Sequence, residues 1–176
     1  MLRIALIYGA IAGSITIGVM CLGFVFDDHD LGTGGAVFGY TVMLVALTMI
    51  FLGIKRHRDR ELGGVIKFAP AFGLGVAIAL VAGVFYATGW ELYLAATGYE
   101  FAESYANGVI ANKEAAGVTG AELEKARAAM EQFVENYKNP FYRFPMTLFV
   151  EIFPVGLAVA LVSAAILRNP KAFPAR

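Results

Sequence analysis

Glu151 is the one charged residue inside an apolar run from Met146 to Leu167, and Pro154 follows it three positions later. A proline cannot donate to the carbonyl of Val150, so the helix is weakened beside the acid; Gly156 adds local freedom. A carboxylate next to an interrupted helix is the arrangement from which membrane proteins build ion or substrate sites. The plainer alternative is a Glu close to the membrane interface, neutral, hydrogen-bonded to a tyrosine or paired with Arg143. Glu91 stands at a similar depth at the end of another apolar run. Two carboxylates brought together would share a proton or a cation, but spacing alone does not bring them together.

Other groups carry less. Asp27, Asp28, His29 and Asp30 have metal-ligand chemistry, yet four adjacent residues cannot all face one ion, so an acidic loop that sets topology is the simpler reading. Lys55-Arg56-His57-Arg58-Asp59-Arg60-Glu61 is short and basic. It could hold anionic lipid headgroups, although a cytoplasmic charge anchor already accounts for it. Gly32-Thr33-Gly34-Gly35 lacks the lysine of a phosphate loop. No zinc spacing, nucleophile elbow or redox cysteine pair occurs, and Cys21 is the sole cysteine. The expectation is therefore no catalytic residue, no metal and no cofactor.

The elements that must position these residues are set by composition. Of 176 residues, 59% are hydrophobic and 16% charged, where a soluble chain runs roughly 45–50% and about 25%. A disordered chain, a nucleic-acid-binding module and a disulfide-stapled secreted domain are excluded. A hydrocarbon core of about 30 Å needs roughly 20 apolar residues per helix, and four runs qualify: 4–26, 35–54, 68–90 and 146–167. In lipid each must be helical, because backbone polar groups have no water to bond. The first run is too long for a signal-peptide core and lacks a small-residue cleavage site, so it counts as a span.

Charge sets the orientation. Arg3, the connection at 55–67 and the C-terminal tail hold nine basic residues against two acids. The first loop and the segment from Glu91 to Arg143 hold five against eleven. The positive-inside rule then puts both termini in the cytoplasm.

The long segment 91–145 reads as an extracytoplasmic helical hairpin. Trp90, Tyr93 and Tyr99 suit an interface belt. Phe101, Tyr105 and Val109 share one helix face, and Leu123, Ala126, Met130, Phe133 and Tyr137 form a stripe on another. Thr119 with Glu122 reads as a capping box, Gly117 as a helix end, and Asn139-Pro140 as a stop. The hairpin's Glu/Lys-rich face is a solvated surface or a docking surface for a partner. Ala71, Gly75, Ala79, Gly83 and Ala87 recur every four residues, a pattern that lets helices approach closely, by default within one chain. The fold expected is all-α: an integral membrane four-helix bundle with a hairpin between spans three and four.

Several segments resemble a known family. Gly53-Ile54-Lys55, Arg58-Asp59, Gly63-Gly64-Val65-Ile66-Lys67-Phe68, Gly89-Trp90-Glu91, Glu151-Ile152-Phe153-Pro154-Val155-Gly156 and Ile166-Leu167-Arg168 are similar to a family of small bacterial four-span proteins catalogued only as a domain of unknown function. The resemblance implies a bacterial inner-membrane protein and brings no reaction, substrate or cofactor. It adds weight to Arg58, Asp59, Glu91, Glu151 and Pro154 as positions to test. The functional expectation is a non-enzymatic accessory or scaffolding protein, in contact with membrane lipids and with a second copy or a membrane-protein partner. The alternative is a small oligomeric transporter or ion-coupled carrier using Glu151 and Glu91.

Overall fold

A computed structural model describes residues 1–26 and 33–174, with side chains described outside 24–36. The acidic loop Asp27, Asp28, His29 and Asp30 lies outside the described residues. All regular structure among the described residues is helical, with no strand: α1 (Leu2–Phe26), α2 (Thr33–Glu61), α3 (Phe68–Ala96), α4 (Phe101–Ala115), α5 (Ala121–Tyr137), α6 (Pro140–Met146), a π-helical turn (Thr147–Ile152) and α7 (Phe153–Leu167). Four stretches are long and apolar enough to cross a membrane: Leu2–Gly23, Val37–Glu61, Phe68–Ala96 and Pro140–Leu167. Their outward sides are apolar too. Leu6, Ile11 and Ile15 on α1, Val37, Leu44 and Val45 on α2, Val84 and Phe85 on α3, and Leu157, Leu161 and Val162 on α7 are all exposed, as a lipid-facing surface requires.

The helix α3 is the centre of the bundle. Its small residues do the work expected of them, and they do it within the chain. A Cβ placed on Gly75 would sit 2.7 Å from the Ala160 Cβ of α7, and one on Gly156 would sit 2.8 Å from the Ala79 Cβ. On its other side, a Cβ on Gly9 of α1 would fall 2.8 Å from the Ile78 carbonyl oxygen. Such approaches are what small residues provide in lipid, where packing replaces the hydrophobic drive between helices. Contact positions rise together along α1 and α3 (Gly9 with Ile78, Ile17 with Gly89), so these two run parallel. They run oppositely along α3 and α7 (Gly75 with Ala160, Ala79 with Gly156), as an up-and-down bundle demands.

Element ends differ from the sequence reading in two useful ways. Residues 55–61, expected as a basic connection, are the last two turns of α2; the turn comes only at Gly63 and Gly64, both at positive φ. Trp90 and Met146 do not bound the third and fourth spans, since α3 continues to Ala96 and helix resumes at Pro140. Asn139-Pro140 both stops one helix and starts the next, because the Asn139 side-chain oxygen Oδ1 accepts from the Phe141 N–H at 2.9 Å and Pro140 occupies the first turn.

The hairpin proper is α4 and α5. Its two stripes pack on each other: the Tyr105 ring lies 5.6 Å from Phe133, and the Phe101 ring 6.1 Å from Tyr137. Gly117, at positive φ, ends α4 with its N–H on Glu114 and the Val118 N–H on Lys113, the double bond of a Schellman cap. The Thr119–Glu122 capping box does not form. Gly120 takes the cap position with φ of 62° and no side-chain hydrogen bond, because a left-handed cap residue places Thr119 outside the first turn.

Candidate functional site

The candidate residues fall into two groups at opposite ends of the bundle. At the hairpin end, α3 presents Tyr86 and, one turn on, Trp90 and Glu91 toward α5, α6 and the π-helical turn. Arg143 of α6 is 3% exposed on its side chain and forms a fork on Glu91, its Nε donating to Oε1 at 2.7 Å and its Nη2 to Oε2. Its Nη1 donates to the Tyr137 carbonyl at 2.6 Å. The guanidinium also lies 5.2 Å from the Tyr99 ring centre and 5.5 Å from that of Tyr137. Arg143 therefore bonds three elements together. Beside it, the Trp90 indole donates to the Tyr137 hydroxyl at 2.7 Å. Burial pushes the Tyr137 phenol above its ordinary value; the Trp90 hydrogen bond and Arg143 oppose the shift, while the charges of Glu151 and Glu91 add to it.

Glu151 lies about two turns deeper, in the π-helical turn, and among the described residues its carboxylate accepts one hydrogen bond, from the Tyr86 hydroxyl at 3.4 Å. Among the described residues it has no cationic partner. Glu91 and Glu151 are not joined: Arg143 holds both oxygens of the first, Tyr86 touches the second. Of the alternatives weighed for Glu151, the tyrosine is present and the Arg143 pairing is not. Pro154 stands in the first turn of α7, so the helix does change register just before it. A second proline, Pro145, lies inside α6. Two residues lacking an N–H, nine positions apart, bracket the widened turn, which is where such turns arise when the ordinary ladder loses donors.

At the α2–α3 end, Arg58 is fully buried. Its Nε donates to Asp59 at 2.6 Å, its Nη1 to the Ala172 carbonyl at 2.9 Å and to that of Leu167 at 3.4 Å, and its Nη2 to the Phe173 carbonyl. Asp59 also takes Lys55 one turn back, and the buried His57 Nδ1 lies 2.9 Å from Glu61. Arg58 is thus a clasp on the C-terminal tail. A lipid headgroup would have to turn to Arg56, Arg60 and Lys67, which are exposed.

Over residues 7–169 the chain matches the family model described as a protein of unknown function, DUF4199. The chain belongs to this family. No curated protein and no solved structure matches it. In this DUF4199 member, four apolar helices and an all-helical fold fit a small four-span membrane protein. Among its described residues no group of three or more His, Cys, Asp or Glu could hold a metal ion.

Two residues of the site were missed by sequence reasoning. Tyr86 reads as one more aromatic in a span, although it stands one turn from Trp90 on the same face. Thr147 reads as a polite span-end residue, yet it is 1% exposed and its hydroxyl has no partner among the described residues. The available signal was its spacing, four residues from both Arg143 and Glu151.

Proposed function

We propose that this chain is a non-enzymatic accessory or scaffolding protein of the bacterial inner membrane. In this reading its termini are cytoplasmic, and the α4–α5 hairpin is held outside the membrane for a membrane-protein partner or a second copy. The observation that carries the reading is the way the hairpin is mounted. Its apolar stripes are spent on each other, and its base is tied to α3 and α6 by Trp90–Tyr137 and Glu91–Arg143. What remains outward is a Glu/Lys-rich face on a rigid stalk, suited to recognition by charge. The excess of Lys and Arg at the α2–α3 end supports the orientation, with Arg56, Arg60 and Lys67 available to anionic lipid.

The test is extraction in native lipid followed by mass spectrometry of the intact assembly. A stoichiometric companion protein or a defined oligomer is expected, and its loss when the outward hairpin charges are reversed. Monomer with lipid alone at every loading would overturn the reading. Single cysteines labelled from outside intact cells, in a chain whose Cys21 is replaced, should react at Glu124 and not at Arg60. The reverse pattern would invert the orientation.

The carrier alternative is narrowed by the same geometry. Glu91 is committed to Arg143, so a pair of acids sharing one ion is not supported. Glu151 remains.

A further inference from the structure

The bundle contains one acid whose charge nothing in the described protein balances. Arg58, Arg143, Lys55, Lys138 and Arg127 each have an acidic partner. Glu151 is half-buried between α3 and the π-helical turn, within a stretch long and apolar enough to cross a membrane. A carboxylate in such surroundings costs several kcal/mol unless a positive charge joins it.

Two hydroxyl residues belong to the same joint of α3 and the π-helical turn. Tyr86 reaches Glu151 from α3. Thr147 lies one turn before Glu151 on its own helix, fully buried, and its hydroxyl bonds to nothing among the described residues. Both flanks of the turn are seated on α3 at one place: a Cβ on Gly83 would run into the Leu148 side chain and lie 3.3 Å from the Ile152 Cγ2. Gly83 is three residues from Tyr86, so Tyr86, Thr147 and Glu151 all belong to the joint between α3 and the π-helical turn. The widened turn between Pro145 and Pro154 carries both Thr147 and Glu151, and such turns often mark sites where a helix does something besides pack. Orphaned buried hydroxyls are rare and carry the desolvation cost of an unmade bond. Here one stands four residues from an unbalanced acid.

We propose that Glu151, Thr147 and Tyr86 form a binding site for one small monovalent cation of the sodium type. The carboxylate supplies the compensating charge, and the two hydroxyls supply neutral oxygen ligands, the donor set that hard cations take. Among the described residues, the other titratable groups within electrostatic reach are Tyr137 of α5 and, through Tyr86, Cys21 of α1. Both are neutral when protonated. Arg143, eight residues before Glu151, is held by Glu91, and among the described residues no cationic side chain pairs with Glu151. The site stands apart from the hairpin reading and survives its failure.

The experiment measures binding of radioactive sodium to the purified full chain in lipid nanodiscs, with choline as the balancing ion. Saturable uptake of one ion per chain is expected. Glu151→Gln should abolish it, while Thr147→Val and Tyr86→Phe should each weaken it roughly tenfold, as loss of a supporting ligand does. Thr147→Val should keep the wild-type melting temperature, because its hydroxyl makes no bond in the protein itself; its weaker binding then cannot be laid to misfolding. Sodium should also slow modification of Glu151 by a hydrophobic carbodiimide. No saturable sodium uptake by the wild-type chain, or uptake retained in Glu151→Gln, overturns the site. So does carbodiimide labelling that responds to pH and not to sodium, since the carboxyl would then carry only a proton.

Discussion

Arg58 and Arg143 are both buried arginines at the ends of one helix bundle, and they spend their donors in opposite ways. Arg58 gives most of them to backbone carbonyls of the C-terminal tail, with Asp59 as a shared counter-charge. Arg143 gives two to a carboxylate on another helix and one to a carbonyl on a third element. Each also sits against a non-glycine residue in the left-handed region: Phe173 at φ 50° beside the first, Tyr99 at φ 63° beside the second. Such a conformation costs roughly 1–2 kcal/mol, so the contacts around each must over-determine it. The Phe173 ring meets Phe51 edge-on at 5.3 Å, and its carbonyl bonds Arg58. The difference teaches what a buried cation is for. One satisfies a chain end and pins a peripheral segment; the other joins three elements and locks the hairpin to the spans.

The comparison would be broken by equal effects at the two positions. Arg143→Met should be the more damaging change, because it leaves Glu91 without its partner and frees the Tyr137 carbonyl. Removing one member of a buried pair costs about 3–5 kcal/mol, and the 24% exposure of the Glu91 side chain places the expectation near the lower end. Unfolding in mixed micelles would measure it. The double variant Arg143→Met with Glu91→Gln should recover part of the loss, since the stranded charge is gone.

Arg58→Gln should cost less, about 2 kcal/mol for hydrogen bonds made by a charged donor. Asp59 keeps Lys55, the Phe173 carbonyl belongs to an exposed residue that water can reach, and the buried Leu167 carbonyl receives only the longest of the bonds, at 3.4 Å. The consequence should be local: hydrogen exchange and proteolysis should rise across 168–174 and stay unchanged in the hairpin. Protection lost in the hairpin instead would mean the two ends are coupled.

How far the sequence foretold these two ends follows from the physics at each. Four spans were legible because lipid permits only a long apolar helix, and the hairpin because its stripes recur at helical spacing. The weakened helix at Pro154 was legible from one missing N–H. The partners were not. Arg143 and Glu91 lie 52 positions apart, and a charged residue near a span end could equally face water, lipid or another acid. Arg58 looked like one more member of a basic cluster, and only the returning tail distinguishes it from Arg56 and Arg60. Thr147 was invisible because the sequence carries no record of a hydroxyl left unbonded.

Within the hairpin end itself, Tyr137→Phe removes only the acceptor for the Trp90 indole. The expected cost is about 1 kcal/mol, well below that of Arg143→Met, with a shift in emission of Trp90, the sole tryptophan. An equal cost would mean that the aromatic bond, and not the ion pair, holds the hairpin down.

The smallest effect should come from the hairpin's own ion pair. Arg127 donates to Glu114 at 2.6 Å across α4 and α5, with side chains 49% and 45% exposed. It resembles the Arg143 contact in distance and differs in solvent. Both charges keep most of their hydration, salt screens them, and two long side chains give up freedom to meet, so exposed pairs are worth about 0–1 kcal/mol. Arg127→Ala should therefore leave the unfolding midpoint within error of wild type at physiological salt, and any difference at low salt should vanish as salt is added. A loss comparable to Arg143→Met would show that the hairpin is held together by its charged face, and that burial is not what separates the strong arginine contact from the weak one.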